Sequence, residues 1–93
     1  MGSKTKHDKL TDKIYKELKR LNIDWIQKNV EYDLGECDLL LKIDNQMIYY
    51  EIKSNFSRKS YNKGIKQIHR FMNYFPGNIG VFYSPQYTEV IYE

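Results

Sequence analysis

The chain lacks the features that mark several large classes of protein. It has one cysteine, Cys37, among 93 residues, so it has no internal disulfide framework and no Cys-rich zinc site. No apolar run approaches the roughly 18 residues that a membrane helix needs, and the first residues lack the apolar segment of a signal peptide. We therefore expect a cytoplasmic protein with no membrane partner.

The length of the chain bounds its organisation. A chain of 93 residues has room for one hydrophobic core, which buries about 60–65% of the unfolded surface. Apolar residues make up 41% and charged residues 29% of the chain, the balance of a globular protein. We predict one domain, residues 1–93, with residues 1–5 disordered.

Acidic residues are missing from one long stretch of the sequence, because none lies between Glu51 and Glu89. Residues 30–51 carry six acids and one lysine, whereas residues 52–93 carry six Lys or Arg and two acids. This segregation suits a metal site beside a phosphate-binding surface. A solvated helix face is the alternative interpretation of the basic segment. The candidate nucleic-acid-binding residues are Arg58, Lys59, Lys63, Lys66 and Arg70.

Apolar periodicity predicts seven elements in the order helix, three strands, helix, two strands. The predicted bounds are 6–21 and 60–75 for the helices and 24–32, 36–43, 46–53, 78–84 and 89–93 for the strands. Helices alternating with strands in this way predict an α/β fold.

The second and third predicted strands form a hairpin whose parity gathers charged residues on one face. The apolar faces of the two strands coincide only if the numbers of opposed residues sum to an odd value. A two-residue turn at Asp44–Asn45 satisfies this rule and places Asp38 opposite Glu51. A turn one residue later places Asp38 opposite Lys53 and keeps the same charges on the same face. The predicted apolar face of the second strand holds Cys37, Leu39, Leu41 and Ile43.

Three carboxylates, those of Glu36, Asp38 and Glu51, share the charged face of this predicted hairpin. Carboxylates opposed across a strand pair repel each other unless a cation lies between them, and Lys53 neutralises only part of their charge. Oxygen ligands favour a hard dication, Mg²⁺ or Mn²⁺, as the cofactor. Zinc is disfavoured because the chain has no Cys or His at ligand spacing.

The hairpin contains two short motifs, Gly35-Glu36-Cys37-Asp38 and Glu51-Ile52-Lys53. Together with the predicted order of elements, they resemble the PD-(D/E)xK nuclease superfamily in its Holliday-junction-resolvase-like branch. The resemblance implies a restriction-endonuclease-like core of order α-β-β-β-α-β(-β), with a mixed sheet flanked by helices. The proline of the family motif is absent from this chain.

The resemblance also implies a role for each matching residue. Asp38 and Glu51 would bind the metal together with the backbone carbonyl of Ile52. Lys53 would orient or activate the attacking water and stabilise charge that grows on the phosphate. Glu36 is a further candidate ligand, and a solvated carboxylate at a strand end is the equal alternative.

Two helical positions complete the implied site. Gln67 in the second helix matches a position where the family often has Gln, with a polar helix-face residue as the alternative. Many family members carry an acid near the start of the first helix. Here His7 takes that inward position with Asp8 beside it, so the sequence departs from the family pattern.

The function that the resemblance implies is a Mg²⁺-dependent deoxyribonuclease that hydrolyses DNA phosphodiester bonds. Within the branch, the implied subtype is a structure-specific endonuclease that acts on branched DNA. One small domain reaches only part of a branched substrate, so we expect a homodimer. The alternatives are a non-catalytic DNA-binding module of the same fold, and a nuclease subunit that needs a partner protein. The intact Asp38, Glu51 and Lys53 argue against the non-catalytic module.

Overall fold

The structure, a computed structural model, describes residues 4–33, 35–75 and 77–92. Over these ranges the chain is an α/β fold of two helices and one five-stranded mixed sheet, so the predicted fold class is confirmed at this level. The helices are α1 (Lys6–Lys19) and α2 (Arg58–Tyr74). The strands are β1 (Trp25–Tyr32), β2 (Gly35–Ile43), β3 (Gln46–Ile52), β4 (Ile79–Tyr83) and β5 (Thr88–Ile91).

Capping residues set where the two helices begin. The Ser57 hydroxyl accepts a hydrogen bond from the Ser60 N–H, and the Ser60 hydroxyl accepts one from the Ser57 N–H. This reciprocal capping box starts α2 two residues before the predicted position. Thr5 and Asp8 form the same arrangement at the start of α1. Residues 1–3 and 93, which the predicted domain includes, lie outside the described residues.

The five strands lie side by side in the order of the chain. Neighbouring strands are antiparallel except β3 and β4, which are parallel because α2 connects them. In the hairpin, Leu39 pairs with Tyr50 and Leu41 with Ile48, so the register predicted for a two-residue turn is confirmed. The turn residues have positive φ, 49° at Asp44 and 65° at Asn45, which is the conformation such a turn requires.

Each helix covers one face of the sheet and closes one hydrophobic cluster. The cluster under α2 is the larger, with seven buried residues against three in the cluster under α1. The α1 cluster contains Ile14, Leu39 and Ile52. The α2 cluster contains Cys37, Leu40, Tyr49, Ile68, Phe71, Met72 and Phe82. No helix in the described residues is long and apolar enough to cross a membrane.

One prediction about β2 is wrong. Cys37 and Leu39 do not share a face, because Cys37 packs in the α2 cluster and Leu39 in the α1 cluster. Along β2 the alternation of side chains between the two faces of the sheet breaks between Cys37 and Leu39. At this point Asn29 of β1 and Asp38 of β2 are not paired, although the residues on either side of them are. Asn29 has a φ of 52°, a conformation that interrupts a regular strand. This irregularity therefore reverses the faces to which the first residues of β2 point, and it leaves Asp38 outside the regular ladder of pairs.

Candidate active site

Glu51 is a buried acid at the end of β3, with 3% of its surface exposed. It lies under α2, which approaches the sheet closely at Gly64. A Cβ atom at Gly64 would lie 3.3 Å from Glu51 Cγ and 2.8 Å from a ring carbon of Phe82. The missing side chain of Gly64 therefore lets the helix close over the carboxylate and exclude water from it.

Two side chains contact the Glu51 carboxylate. The Tyr49 hydroxyl donates a 2.9 Å hydrogen bond to Oε1, and Lys53 Nζ lies 3.3 Å from Oε2. Burial and the charge of Asp38 nevertheless raise the pKa of Glu51 to about 7, with Lys53 and Tyr49 opposing part of the rise. Burial also raises the pKa of Tyr49, so its hydroxyl stays a donor. Glu51 is thus balanced between its two protonation states near neutral pH.

Asp38 reaches from β2 toward the same end of β3. The last regular pair of the hairpin is Leu39 with Tyr50. Beyond it, Asp38 Oδ2 accepts a 2.8 Å hydrogen bond from the Ile52 N–H, so a side chain continues the ladder where the two backbones part. The Asp38 carboxylate therefore lies near Glu51 at the end of β3, although Asp38 and Glu51 are not the directly opposed pair that the predicted register describes.

The first helix contributes His7 to this site. His7 Nε2 lies 3.3 Å from Asp38 Oδ1, and its Nδ1 lies 3.7 Å from Asp8 Oδ1. Asp8 accepts a hydrogen bond from the Thr5 N–H, which completes the capping box of α1. The structure thus brings His7 to the predicted site and gives Asp8 a capping role at its border.

Lys53 follows directly after β3. Its N–H donates a 2.8 Å hydrogen bond to the Tyr83 carbonyl, so the backbone continues alongside β4. Its side chain is partly exposed and turns back to Glu51. An ammonium group in this position contacts the buried carboxylate and solvent at once, where a substrate can reach it.

Gln67 has a buried side-chain oxygen, whereas Glu36 is exposed to solvent. Gln67 follows Gly64 by three residues on α2, so both lie on one side of the helix. Its Oε1 is buried and has no hydrogen-bond partner in the described residues. Glu36 is exposed and pairs across the sheet with Glu31. A buried oxygen without a partner normally calls for a ligand or water, so Gln67 is the stronger of the two candidates.

The donor atoms fit a magnesium ion that keeps most of its own waters. Within the described ranges, no group of three or more His, Cys, Asp or Glu side chains is arranged to hold a metal ion, so Glu36 does not complete a three-carboxylate set. Asp38 and Glu51 remain, and Mg²⁺ commonly binds through one or two carboxylates together with substrate phosphates. Burial and the charge of Asp38 raise the pKa of Glu51, and a dication would oppose both by stabilising the charged carboxylate.

The predicted nucleic-acid-binding residues line the outside of α2. All five are exposed, and this helix contains no acidic residue. Lys59, Lys63, Lys66 and Arg70 recur at intervals of four, three and four residues, which places them on one helix face. Its buried residues, Gly64, Ile68, Phe71 and Met72, face the sheet. We call the surface of Arg58, Lys59, Lys63, Lys66 and Arg70 the basic face.

Sequence reasoning missed the Tyr49 hydroxyl. Tyr49 and Glu51 are two residues apart on one strand and therefore share a face, which was the available signal. Their contact could not be predicted because it depends on α2 closing over both residues.

Comparisons with known proteins assign no family to the chain. No protein-family model matches the chain, and no curated protein matches it.

Proposed function

We propose that the chain is a Mg²⁺-dependent deoxyribonuclease with a restriction-endonuclease-like core, and that it is a structure-specific endonuclease acting on branched DNA. The observation that carries the proposal is the meeting of Asp38, Glu51 and Lys53 at the end of β3. A buried acid with a strongly perturbed pKa beside a charged partner is typical of a catalytic site. The motif resemblance supplies the class of reaction.

In this mechanism Asp38, Glu51 and the Ile52 carbonyl would hold the Mg²⁺ or Mn²⁺ ion. The ion, when bound, lowers the pKa of water and neutralises charge on the phosphate. Tyr49 fixes one oxygen of Glu51 by its hydrogen bond, and the Ile52 N–H fixes one oxygen of Asp38. Such preorganised ligands need no rearrangement when the substrate arrives.

Three more side chains act around the reacting phosphate. Lys53 donates hydrogen bonds to a phosphate oxygen and orients the attacking water, since an ammonium is a compact, mobile donor. Gln67 offers the amide oxygen that lacks a partner in the described residues. His7, on α1, contacts Asp38 Oδ1 and orients this carboxylate.

The basic face of α2 supplies affinity for the DNA backbone. Exposed cations neutralise phosphates and release counterions, so binding weakens as salt rises. Replacing Arg58 and Lys59 by Ala should reduce the log–log salt slope by about one unit for each lost phosphate contact. The matched control replaces Lys13 and Lys16, which are exposed on α1, by Ala. An equal change in both double variants would contradict a specific role for α2.

The experiment that tests the proposed function is a cleavage assay on four DNA substrates. Purified protein is incubated with linear, nicked, flapped and four-way-junction DNA, each with Mg²⁺ and with EDTA. We expect cleavage of the branched substrates with Mg²⁺ and none with EDTA. If none of the four substrates is cleaved with Mg²⁺ or with Mn²⁺, the proposal is contradicted. Sedimentation of the same samples tests the expected homodimer.

A second candidate function is a non-catalytic DNA-binding module of the same fold. The observation that favours it is that both carboxylates already have protein partners, the Ile52 N–H and His7 for Asp38 and Tyr49 and Lys53 for Glu51. Junction binding without cleavage in the same assay would support this module. A nuclease subunit that needs a partner protein gives the same result until the partner is added.

A further inference from the structure

A cavity of about 230 Å³ lies at the junction between the start of α2 and the turn before β5. Three of its lining residues are aromatic, and the other two are an amide and a guanidinium. Its lining residues are Phe56, Arg58, Tyr61, Asn62 and Tyr87. Arg58 belongs to the basic face, and the other four residues have no role in the mechanism proposed above.

The three aromatic rings stand close to one another around the cavity. The centroid distances are 5.4 Å for Phe56–Tyr87, 5.8 Å for Phe56–Tyr61 and 5.9 Å for Tyr61–Tyr87. Phe56 and Tyr87 each keep 42% of their surface exposed, which leaves apolar ring area in contact with water. A flat, partly apolar ligand would cover this area and gain the stacking energy that exposed rings offer.

The rings are held in place rather than free to collapse. The Phe56 N–H donates a 2.9 Å hydrogen bond to Gln86 Oε1, which ties the loop after β3 to the turn before β5. The Tyr61 hydroxyl donates to Glu89, and its ring packs edge-on against Phe82 at 5.2 Å. A preformed pocket of this kind loses little conformational entropy when it binds a ligand.

The polar groups of the pocket define the ligand further. The Asn62 amide offers one acceptor and two donors, the set that reads the hydrogen-bonding edge of a base. Arg58 and the neighbouring Lys59 offer positive charge to a phosphate. The nearby acid, Glu89, accepts hydrogen bonds from Tyr61 and Tyr87, so part of its charge is engaged. Aromatic rings beside cations are the usual combination for binding unpaired nucleotides.

The pocket lies at the same edge of the sheet as the carboxylates. Because β3 and β4 are parallel, their carboxyl ends meet at one edge, and the Lys53 N–H bonds to the Tyr83 carbonyl there. Phe56 follows Lys53 by three residues, and Tyr87 lies in the turn that follows β4. A strand that passes Lys53 can therefore present its neighbouring nucleotide to the rings.

We propose that the pocket of Phe56, Arg58, Tyr61, Asn62 and Tyr87 binds an unpaired nucleobase of a DNA strand. Its position next to a cleaved phosphate rests on the proposed function, whereas base binding itself does not. The pocket gives the enzyme a preference for DNA in which a base near the cleavage point is unpaired, as at a branch, because a paired and stacked base cannot enter it.

The test measures binding in EDTA, so that no cleavage is needed. The probe is a short single-stranded oligonucleotide with one 2-aminopurine, compared with the same oligonucleotide in a full duplex. Wild-type protein should bind the single strand and quench the emission of 2-aminopurine by stacking. Phe56→Leu keeps apolar bulk but removes the ring, and should weaken single-strand binding on the order of tenfold. Duplex binding should change by less than about twofold, since it depends on phosphate contacts.

One variant outside the pocket serves as the control. Trp25→Leu removes a ring of similar exposure, 41%, on β1 and should bind like the wild type. Thermal melting and circular dichroism establish that each variant is folded.

The outcomes separate this proposal from the nuclease proposal. Unchanged single-strand binding and quenching in folded Phe56→Leu would overturn the base pocket and leave the nuclease untouched. Ring-dependent quenching in a protein that cleaves nothing would support the base pocket and remove the nuclease. Competition by free dAMP as strong as by the oligonucleotide would overturn the assignment to a DNA strand, because a mononucleotide lacks the flanking phosphates.

Discussion

Two carboxylates of this protein, Asp12 and Glu51, both pair with lysine, yet their pKa values move in opposite directions. Asp12 lies on α1, where hydrogen bonds from Lys28, at 2.7 Å, and from Lys4 lower its pKa to about 2. Glu51 has Lys53 at 3.3 Å, yet its pKa rises to about 7. The same type of ion pair therefore stabilises the charged acid in one place and fails to do so in the other.

The difference comes from hydration. At the surface, water continues to solvate the Asp12 carboxylate, so the lysines add to a favourable state. Under α2, the loss of hydration costs Glu51 more than one lysine returns, and Asp38 adds repulsion. The Asp12 pair is thus a tether between α1 and β1. The Glu51 pair stores unfavourable free energy that a bound cation would release.

The largest expected effect is on cleavage. Asp38→Asn and Glu51→Gln should each lower Mg²⁺-dependent cleavage of junction DNA on the order of 10³-fold or more, because a dication depends on anionic oxygen ligands. The double variant should be no worse than either single variant, since the second change acts on a site already disabled. Asp12→Asn makes the same chemical change in the partly exposed Asp12–Lys28 pair and should keep full cleavage. Full activity in either single variant would refute the metal site.

Lys53 should affect the rate rather than the affinity. Lys53→Ala should lower kcat on the order of 10²-fold with nearly unchanged DNA binding, because its interaction strengthens in the transition state. Lys28→Ala removes the lysine that pairs with Asp12 and serves as the control. Single-turnover cleavage and equilibrium binding separate the two effects. If only binding weakens, Lys53 is a phosphate clamp.

The pH dependence of stability should differ between the two acids, first through Glu51. Because its folded pKa is raised, its contribution is fully present below 4.5 and is lost as pH rises through about 7. The metal-free protein should therefore lose about 3 kcal/mol of unfolding free energy across this window. Urea unfolding in EDTA measures the loss, and Glu51→Gln should abolish it. The same pH profile in Glu51→Gln as in the wild type would contradict the burial argument.

The smallest effect is expected at Asp12, with the opposite sign. Its folded pKa is lowered, so its contribution is present above its ordinary value of 3.8 and is lost as pH falls through about 2. Asp12→Asn should melt at a slightly lower temperature than the wild type at pH 7, and the difference should disappear below the folded pKa, near pH 1. Melting curves at both pH values test this, and a difference that persists at pH 1 would point to packing instead of charge.

The sequence predicts those parts of the structure that depend on local periodicity. The hairpin register follows from the Asp44–Asn45 turn and from the alternation of apolar residues, and both act between near neighbours in the chain. The same alternation misplaces Cys37, because the irregularity at Asn29 and Asp38 arises between two strands and leaves no periodic trace.

The candidate site likewise contains residues that the sequence pattern indicates and contacts that only the packed fold determines. Asp38, Glu51 and Lys53 could be selected from their spacing, and His7 from its inward position on α1. The contacts and the burial of Glu51 could not be predicted from the sequence, because they depend on how α2 packs on the sheet. The same burial raises its pKa. The aromatic pocket joins residues from 56 to 87, which only the folded chain brings together.

Gly64 ties the stability of α2 to the chemistry of Glu51. Glycine inside a helix normally costs about 0.5–1 kcal/mol relative to alanine, so an exposed position would gain from the exchange. At this position the added methyl group would meet Phe82 and Glu51, and the helix would have to lift away from the sheet. Water would then enter, and the pKa of Glu51 would fall toward that of an ordinary carboxyl group. Because overpacking a core typically costs about 1–3 kcal/mol, more than the gain in helix propensity, selection for stability and selection for activity should both retain this glycine.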